Sequence, residues 1–270
     1  MREFTLGNIY FKHDISEKPN PPDFKMHIHD KCEIFYLVRG NVEYLVEGSR
    51  YPLEENSVMI IRPAEAHTPK ILTDACYERY AVNFPLSYVQ SFDPQGTLLK
   101  AFTDRPLGKN NCYSEEELDM PLMKRLLEEM VASHASDYER NVTASTHIYM
   151  MLDMINRAFS KKKTEQFSPR SLSERIIFYI DKHLSDEISV PQLAKHFHLS
   201  VSQFSRVFKQ ATGAAPWDYI TKKRLTLAKE KILLGYSAKD ACEETGFNDY
   251  SSFYRAYVKL FKSSPQKSAE

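Results

Sequence analysis

The sequence predicts an α+β chain of more than one domain: an N-terminal β-barrel or jelly roll with two helices, then an all-helical C-terminal module. Three observations carry this. Between about residues 24 and 85, short apolar stretches rich in aromatic and β-branched residues alternate with turn residues, as strands do. After Pro94 the apolar positions recur at intervals of three and four, the spacing of helices. Charge then divides the chain: residues 1 to 160 carry 17 Lys and Arg against 24 Asp and Glu, whereas 161 to 270 carry 19 against 12, so a net charge of zero hides an acidic front and a basic back. A basic module of this kind suits a polyanionic partner.

At 270 residues and 42% hydrophobic content, the chain has room for two cores. The boundaries read as a strand-rich unit over 1–95, a helical dimerisation or cover segment over 96–160, a linker over 161–170 and a final helical domain over 171–270. Cys32, Cys76, Cys112 and Cys242 are far apart with no C-x-x-C pair, which suggests neither a disulfide framework nor a cysteine zinc knuckle and fits a reducing cytoplasm. No apolar run approaches the roughly 18 residues a bilayer requires, and MREFTLGNIYFKHD places charges where a secretion signal needs an unbroken apolar segment. A cytoplasmic protein without a membrane partner is expected.

The elements follow in order. CEIFYLV, VEYLV, SVMII and ERYAVNF read as antiparallel strands, with Val42, Tyr44 and Val46 on one face of VEYLV. Ser114 and Glu117 have the spacing of a capping box ahead of a stripe of Leu122, Met123, Leu126, Leu127 and Met130. Ala144, Ile148, Met151, Ile155 and Phe159 form a second stripe. These stripes either cover the sheet or form a helical homodimer interface, and both roles are compatible. SKKKTEQFSPR is polar and closed by Ser-Pro, a linker composition. Ser171 or Ser173 then caps a helix whose stripe is Leu172, Ile176, Ile177, Ile180 and Leu184.

Two stretches of the basic half superimpose, SVPQLAKHFHLSVSQFSRVFKQ from Ser189 and SAKDACEETGFNDYSSFYRAYVK from Ser237. Each has the grammar of a helix-turn-helix: a capped first helix with a small central residue (Ala194, Cys242), a turn, and a second helix with buried aromatics. Gly246 takes the turn position that needs positive φ in the second unit, and His198 takes it in the first. With Phe204, Phe208, Phe253 and Tyr257 inward, the outward residues are Ser202, Gln203, Arg206 and Gln210 on one reader and Tyr250, Ser251, Tyr254 and Arg255 on the other. Arg206 and Arg255 suit bidentate contacts to guanine and Gln203 suits adenine, with phosphate as the alternative target of either arginine. The helix between the units, PWDYITKKRLTLAKEKILL, starts at Pro216 and carries an apolar stripe ending at Ile232 and Leu233. It also concentrates Lys222, Lys223 and Arg224, of which Lys222 and Lys223 are expected on the DNA backbone. A rigid connection would set the readers in successive major grooves of double-stranded DNA, about 34 Å apart.

LAKHFHLSVSQFSRVFKQATGAAPWDYITKKRLTLAKEKIL followed by GFNDYSSFYRAYVKLFKSSP resembles the DNA-binding domain of AraC-type transcriptional regulators over about 100 residues. The resemblance implies bacterial transcription control, more often activation than repression, with RNA polymerase as a partner. The sequence departs from the family at Tyr257-Val258, at Lys262 in place of a glycine, and at Ala241-Cys242.

In the front half, His27, His29 and Glu33 followed by Gly40 match the spacing of the first cupin motif, and His67 stands near the fourth ligand position of cupin enzymes. Pro21 replaces an expected glycine, the Pro63 to His67 interval is one residue short, and a glutamate replaces the second motif's glycine. Three imidazoles and a carboxylate would suit zinc, iron or manganese. The favoured reading is an effector pocket formed by His27, His29, Glu33 and His67 that hydrogen-bonds a small polar molecule such as a sugar, without metal or cofactor. This reading follows the resemblance to AraC-type sensors, many of which keep remnants of the motif, and the stretches around it resemble sensors from Gram-positive bacteria that control carbohydrate use. The competing readings are a metal-dependent cupin enzyme fused to a regulator, holding its metal on the same four residues, and a cupin that serves only as a dimerisation scaffold. No catalytic residue is assigned.

Overall fold

The computed structural model describes residues 2–20, 24, 26–132, 134–162, 169 and 171–266. The strands are β1 (Arg2–Leu6), β2 (Ile9–Ser16), β3 (Cys32–Arg39), β4 (Val42–Val46), β5 (Ser49–Leu53), β6 (Val58–Ile61), β7 (His67–Ile71), β8 (Tyr77–Phe84) and β9 (Cys112–Tyr113). They form a six-stranded sheet in the order β1-β2-β8-β3-β6-β9 and a three-stranded sheet in the order β5-β4-β7. Every pairing between these strands is antiparallel, so the expected jelly-roll-like sandwich is present.

Strand alternation explains how one sheet serves two cores. On β3, Phe35 and Leu37 turn toward the smaller sheet and pack with Val42, Tyr44, Val46 and Tyr77. Ile34 and Tyr36 turn the other way, into a core completed by helices. Those helices are α1 (Leu86–Gln90), α2 (Lys100–Thr103), α3 (Met120–Val131) and α4 (Asp137–Lys161). Met123, Leu126 and Leu127 of α3 and Ile148, Met151 and Ile155 of α4 are fully buried there, each contributing about 1.5–3 kcal/mol of burial. The two apolar stripes therefore cover the six-stranded sheet. Helix α3 starts later than expected: Ser114 and Glu117 close a turn, and Asp119, ahead of Pro121, accepts from the Leu122 amide as the N-cap.

Helix α4 runs to Lys161, and residues 163–168 and 170 of the expected linker lie outside the described residues, as does Pro21. The back half is helical throughout: α5 (Leu172–Lys182), α6 (Val190–His196), α7 (Val201–Thr212), α8 (Pro216–Leu233), α9 (Ala238–Glu244) and α10 (Tyr250–Phe261). Ser171 closes a capping box with Glu174 on α5. Ser189 and Ser237 cap α6 and α9 at equivalent places in the repeat. Both turns take positive φ, 55° at His198 and 82° at Gly246. At Gly246 a side chain is also barred by space, because a Cβ would sit 2.9 Å from the Leu184 carbonyl oxygen. Lys262, where the sequence departs from a glycine, still ends α10 in the left-handed region at φ 57°.

The two helix-turn-helix units have separate cores. Phe253 and Tyr257 pack with Leu225, Ala228 and Cys242 in the second. Phe204 and Phe208 of the first share their core with Tyr219 and Ile220, and also with Met26, Ile28 and Ala66 from the sheet half. The sheet half and the first unit are thus packed against each other through a common apolar cluster. Leu233, expected in the stripe of α8, is instead 58% exposed at the helix end. Among the described residues, no helix is long and apolar enough to cross a membrane.

Candidate functional site

The chain entering β3 runs alongside the start of β7. His27 and His67 exchange both backbone hydrogen bonds, at 3.0 and 3.1 Å. This extended pairing points alternate side chains in opposite directions. His27 and His29 go to one side, beside Glu33 and His67, and Met26 and Ile28 go to the other, into the apolar cluster shared with the helical half. One donor atom from each of His27, His29, Glu33 and His67 lies within 4.8 Å of all the others. The four residues that the sequence singled out are therefore one cluster, open to solvent at His27 and closed at Glu33 and His67.

The short Pro63 to His67 interval does not displace His67. Ala64 takes a left-handed conformation at φ 60°, and its amide bonds the His29 carbonyl at 3.0 Å. Glu65, which replaces the expected glycine, is buried and anchors the turn by pairing with buried Arg105 at 2.6 Å. Burial pushes the Glu65 carboxyl up, but the Arg105 guanidinium outweighs it and holds the group at about 2.

Within the cluster, Glu33 Oε2 lies 2.9 Å from His29 Nε2 and accepts from the Asn83 amide at 3.0 Å. Burial alone would raise this carboxyl, but the neighbouring His29 and His67 rings hold it well below the ordinary carboxylate range. His67 Nδ1 lies 2.8 Å from the Glu65 carbonyl oxygen, which can only accept, so Nδ1 carries a proton. Its other nitrogen, Nε2, is buried without a hydrogen-bond partner and stands 3.5 Å from Glu33. Burial favours the neutral ring and the Glu33 carboxylate opposes it, the balance raising the His67 pKa. An oriented imidazole with an unused inward nitrogen, beside an ionised carboxylate held by an amide, is the arrangement of a prepared ligand set. The four residues fit a divalent transition cation, which would take the three imidazole nitrogens and Glu33 as donors.

The expected reading residues lie on α7 and α10. Ser202, Gln203, Arg206 and Gln210 are all exposed, as are Tyr250, Ser251, Tyr254 and Arg255. Gln203 is partly engaged, since its side-chain oxygen accepts from the Ser200 amide at 3.0 Å in the capping box of α7. Lys222 is partly exposed, 3.4 Å from Asp218.

Lys223 is the correction. It is 2% exposed, with Nζ 3.0 Å from Glu47 and 3.1 Å from Asp181, and so is buried between the halves rather than displayed to a DNA backbone. The helical period explains the error: one residue along α8 turns the side chain by about 100°, enough to separate Lys222 from Lys223. Arg224 is likewise internal, donating to the carbonyls of Leu184, Asp186 and Gly246 and so tying the end of α5 to the turn of the second unit.

Glu47 was missed by sequence reasoning. It sits with Gly48 in the two-residue turn between β4 and β5, at φ 48° and 78° respectively, a pair of positive values that this kind of hairpin requires. Its buried carboxylate accepts from the Ala66 amide at 2.7 Å and from the Tyr219 hydroxyl, and it pairs with Lys223. The only local signal was a glutamate where asparagine or aspartate is usual.

Comparison with known proteins gives two domain matches: an AraC-like ligand binding domain over residues 15–141 and a helix-turn-helix domain over residues 193–270. The chain is 24% identical over 246 residues to the uncharacterized HTH-type transcriptional regulator YfiF of Bacillus subtilis, covering 89% of this chain and 77% of YfiF. It is 23% identical over 268 residues to the HTH-type transcriptional activator RhaS of Escherichia coli, covering 97% and 93% of the two chains. Among solved structures, apo ToxT K231A of Vibrio cholerae aligns over 98% of this chain and 97% of its own, at 12% identity and a TM-score of 0.42.

Proposed function

The chain belongs to the AraC-type family of transcriptional regulators, with a ligand-binding domain and a helix-turn-helix domain, and from that premise we propose that it is an effector-responsive, sequence-specific DNA-binding activator. In this reading the cluster of His27, His29, Glu33 and His67 binds the effector, and α7 and α10 read two successive major grooves. One observation supports it above the rest. The segment that supplies His27 and His29 also supplies Met26 and Ile28 to the core of the first helix-turn-helix unit, so whatever occupies the cluster touches the reading half through a single backbone. The chain works as a homodimer in the cytoplasm, binds rather than transforms its effector, and meets RNA polymerase at the promoter. Carbohydrate-utilisation genes are the proposed targets.

The test is selection of bound sequences from random duplex DNA by the full chain, followed by fluorescence anisotropy on the selected site with a panel of sugars, sugar acids and metal salts. A selected sequence whose affinity shifts with one of these compounds supports the reading. Recovery of no preferred sequence under any condition would overturn it.

A further inference from the structure

We propose that the effector sensed at the histidine cluster is a divalent transition cation, and that the reading half senses it through residues 26–30 on one side and 65–67 on the other. This rests on the reading of the chain as an effector-responsive regulator and names the class of effector.

The donor chemistry selects the class. Three imidazoles and one carboxylate suit borderline cations such as zinc, nickel or iron better than magnesium or calcium, which prefer all-oxygen sets. A single cation would take the buried Glu33 carboxylate and the unused His67 nitrogen together, since both belong to one group of donor atoms.

The geometry supplies the signal. The donor atoms now spread over as much as 4.8 Å. Ligands about 2.1 Å from a tetrahedral ion stand about 3.4 Å from one another. Binding therefore draws the carriers of these side chains together, and both carriers lead into the reading half.

On one side, Met26 and Ile28 are 9% and 6% exposed in the core built by Ile176, Phe204, Phe208 and Tyr219. Met26 also lies where a Cβ on Gly213 would meet it, 3.1 Å away, and Asp30 pairs with Lys229 of α8 at 2.6 Å. On the other side, Ala66 precedes His67. Its amide bonds the Glu47 carboxylate and its carbonyl accepts from the Glu47 amide at 3.0 Å. That carboxylate in turn holds Tyr219 and Lys223. A displacement of His67 thus reaches α8 through one residue and one carboxylate. Interfaces packed this closely shift between discrete arrangements rather than deforming smoothly.

The experiment uses the full chain with Zn²⁺ and with Co²⁺, whose visible absorption reports coordination. Calorimetry and metal analysis should give one ion per chain. His67→Ala and Glu33→Gln should each weaken it by more than the roughly 10- to 100-fold that loss of an outer hydrogen-bond partner costs. Hydrogen exchange along residues 216–224 and affinity for the selected DNA should both change on loading, the affinity by about 5- to 150-fold. Glu47→Gln should retain the ion and its Co²⁺ spectrum while losing most of the change in DNA affinity.

Wild-type chain that takes up no stoichiometric Zn²⁺ or Co²⁺ but responds to a sugar overturns the cation and leaves the regulator standing. Stoichiometric metal with unchanged exchange and unchanged DNA affinity overturns the coupling. Sequence-specific DNA binding that fails with and without metal overturns the regulator itself.

Discussion

Replacing Lys223 by methionine separates two accounts of the same lysine. Methionine keeps most of the buried stem, so the change removes the charge and little packing. Glu47 would then stand in the interface with only the Ala66 amide and the Tyr219 hydroxyl as donors. Breaking a buried pair from one side costs about 3–5 kcal/mol. Glu47 has an escape, since burial already raises its carboxyl and the Lys223 charge is the main opposing influence. It can take a proton, and from an ordinary value of 4.5 this costs about 3.4 kcal/mol at pH 7 and about 2 kcal/mol at pH 6. The loss is thus expected near 3 kcal/mol at pH 7, shrinking by about 1.4 kcal/mol for each unit of acidification. Urea unfolding of the full chain at both pH values measures it. Glu47→Gln combined with Lys223→Met should recover a good part of the loss, because neither residue then carries an unpaired charge. A Lys223→Met chain as stable as its parent at pH 7, with a DNA-binding salt slope reduced by about 0.9, would refute the burial argument and place the lysine on phosphate.

Arg206→Ala and Arg255→Ala should each cost about 1–3 kcal/mol on the selected DNA and relax preference at one position; equal loss on all sequences would assign them to phosphate. Lys222→Ala should flatten the salt dependence by about 0.9 while leaving sequence preference unchanged, checked by anisotropy at several salt concentrations. Burial and the Asp30 carboxylate push Glu230 up to about 7, against a smaller opposing effect of Arg62. Between its ordinary 4.5 and that value the folded chain keeps a proton that the unfolded chain releases, so stability falls as pH rises through this window by up to about 3 kcal/mol. Glu230→Gln should remove this slope in unfolding curves taken at pH 5 and pH 8, and parallel slopes would exclude the assignment. Gly108→Ala should destabilise by about 1–3 kcal/mol, because Gly108 is at φ 67° and a Cβ would come within 2.8 Å of the Val46 carbonyl oxygen; an unchanged melting temperature would count against the tight turn.

Periodicity and capping chemistry are local, and what depends on them was legible in the sequence. The alternation of VEYLV, the stripes of α3 and α4, the paired N-caps Ser189 and Ser237, and the positive-φ turns at His198 and Gly246 all follow from neighbouring residues. The four cluster residues were also legible, because two histidines at spacing two on an extended chain must share a side. What needed the tertiary structure was every property set by a second segment. The nitrogen that His67 leaves unused depends on a carbonyl brought to it by the Ala64 turn. The fates of Lys222 and Lys223, adjacent in a basic run, diverge because only one of them faces Glu47, a residue 176 positions away across a domain interface. Charge and spacing identify the side chains able to bind an ion, a base or a phosphate. Burial decides which of them are turned inward to hold the two halves together, and burial is a property of the assembled chain.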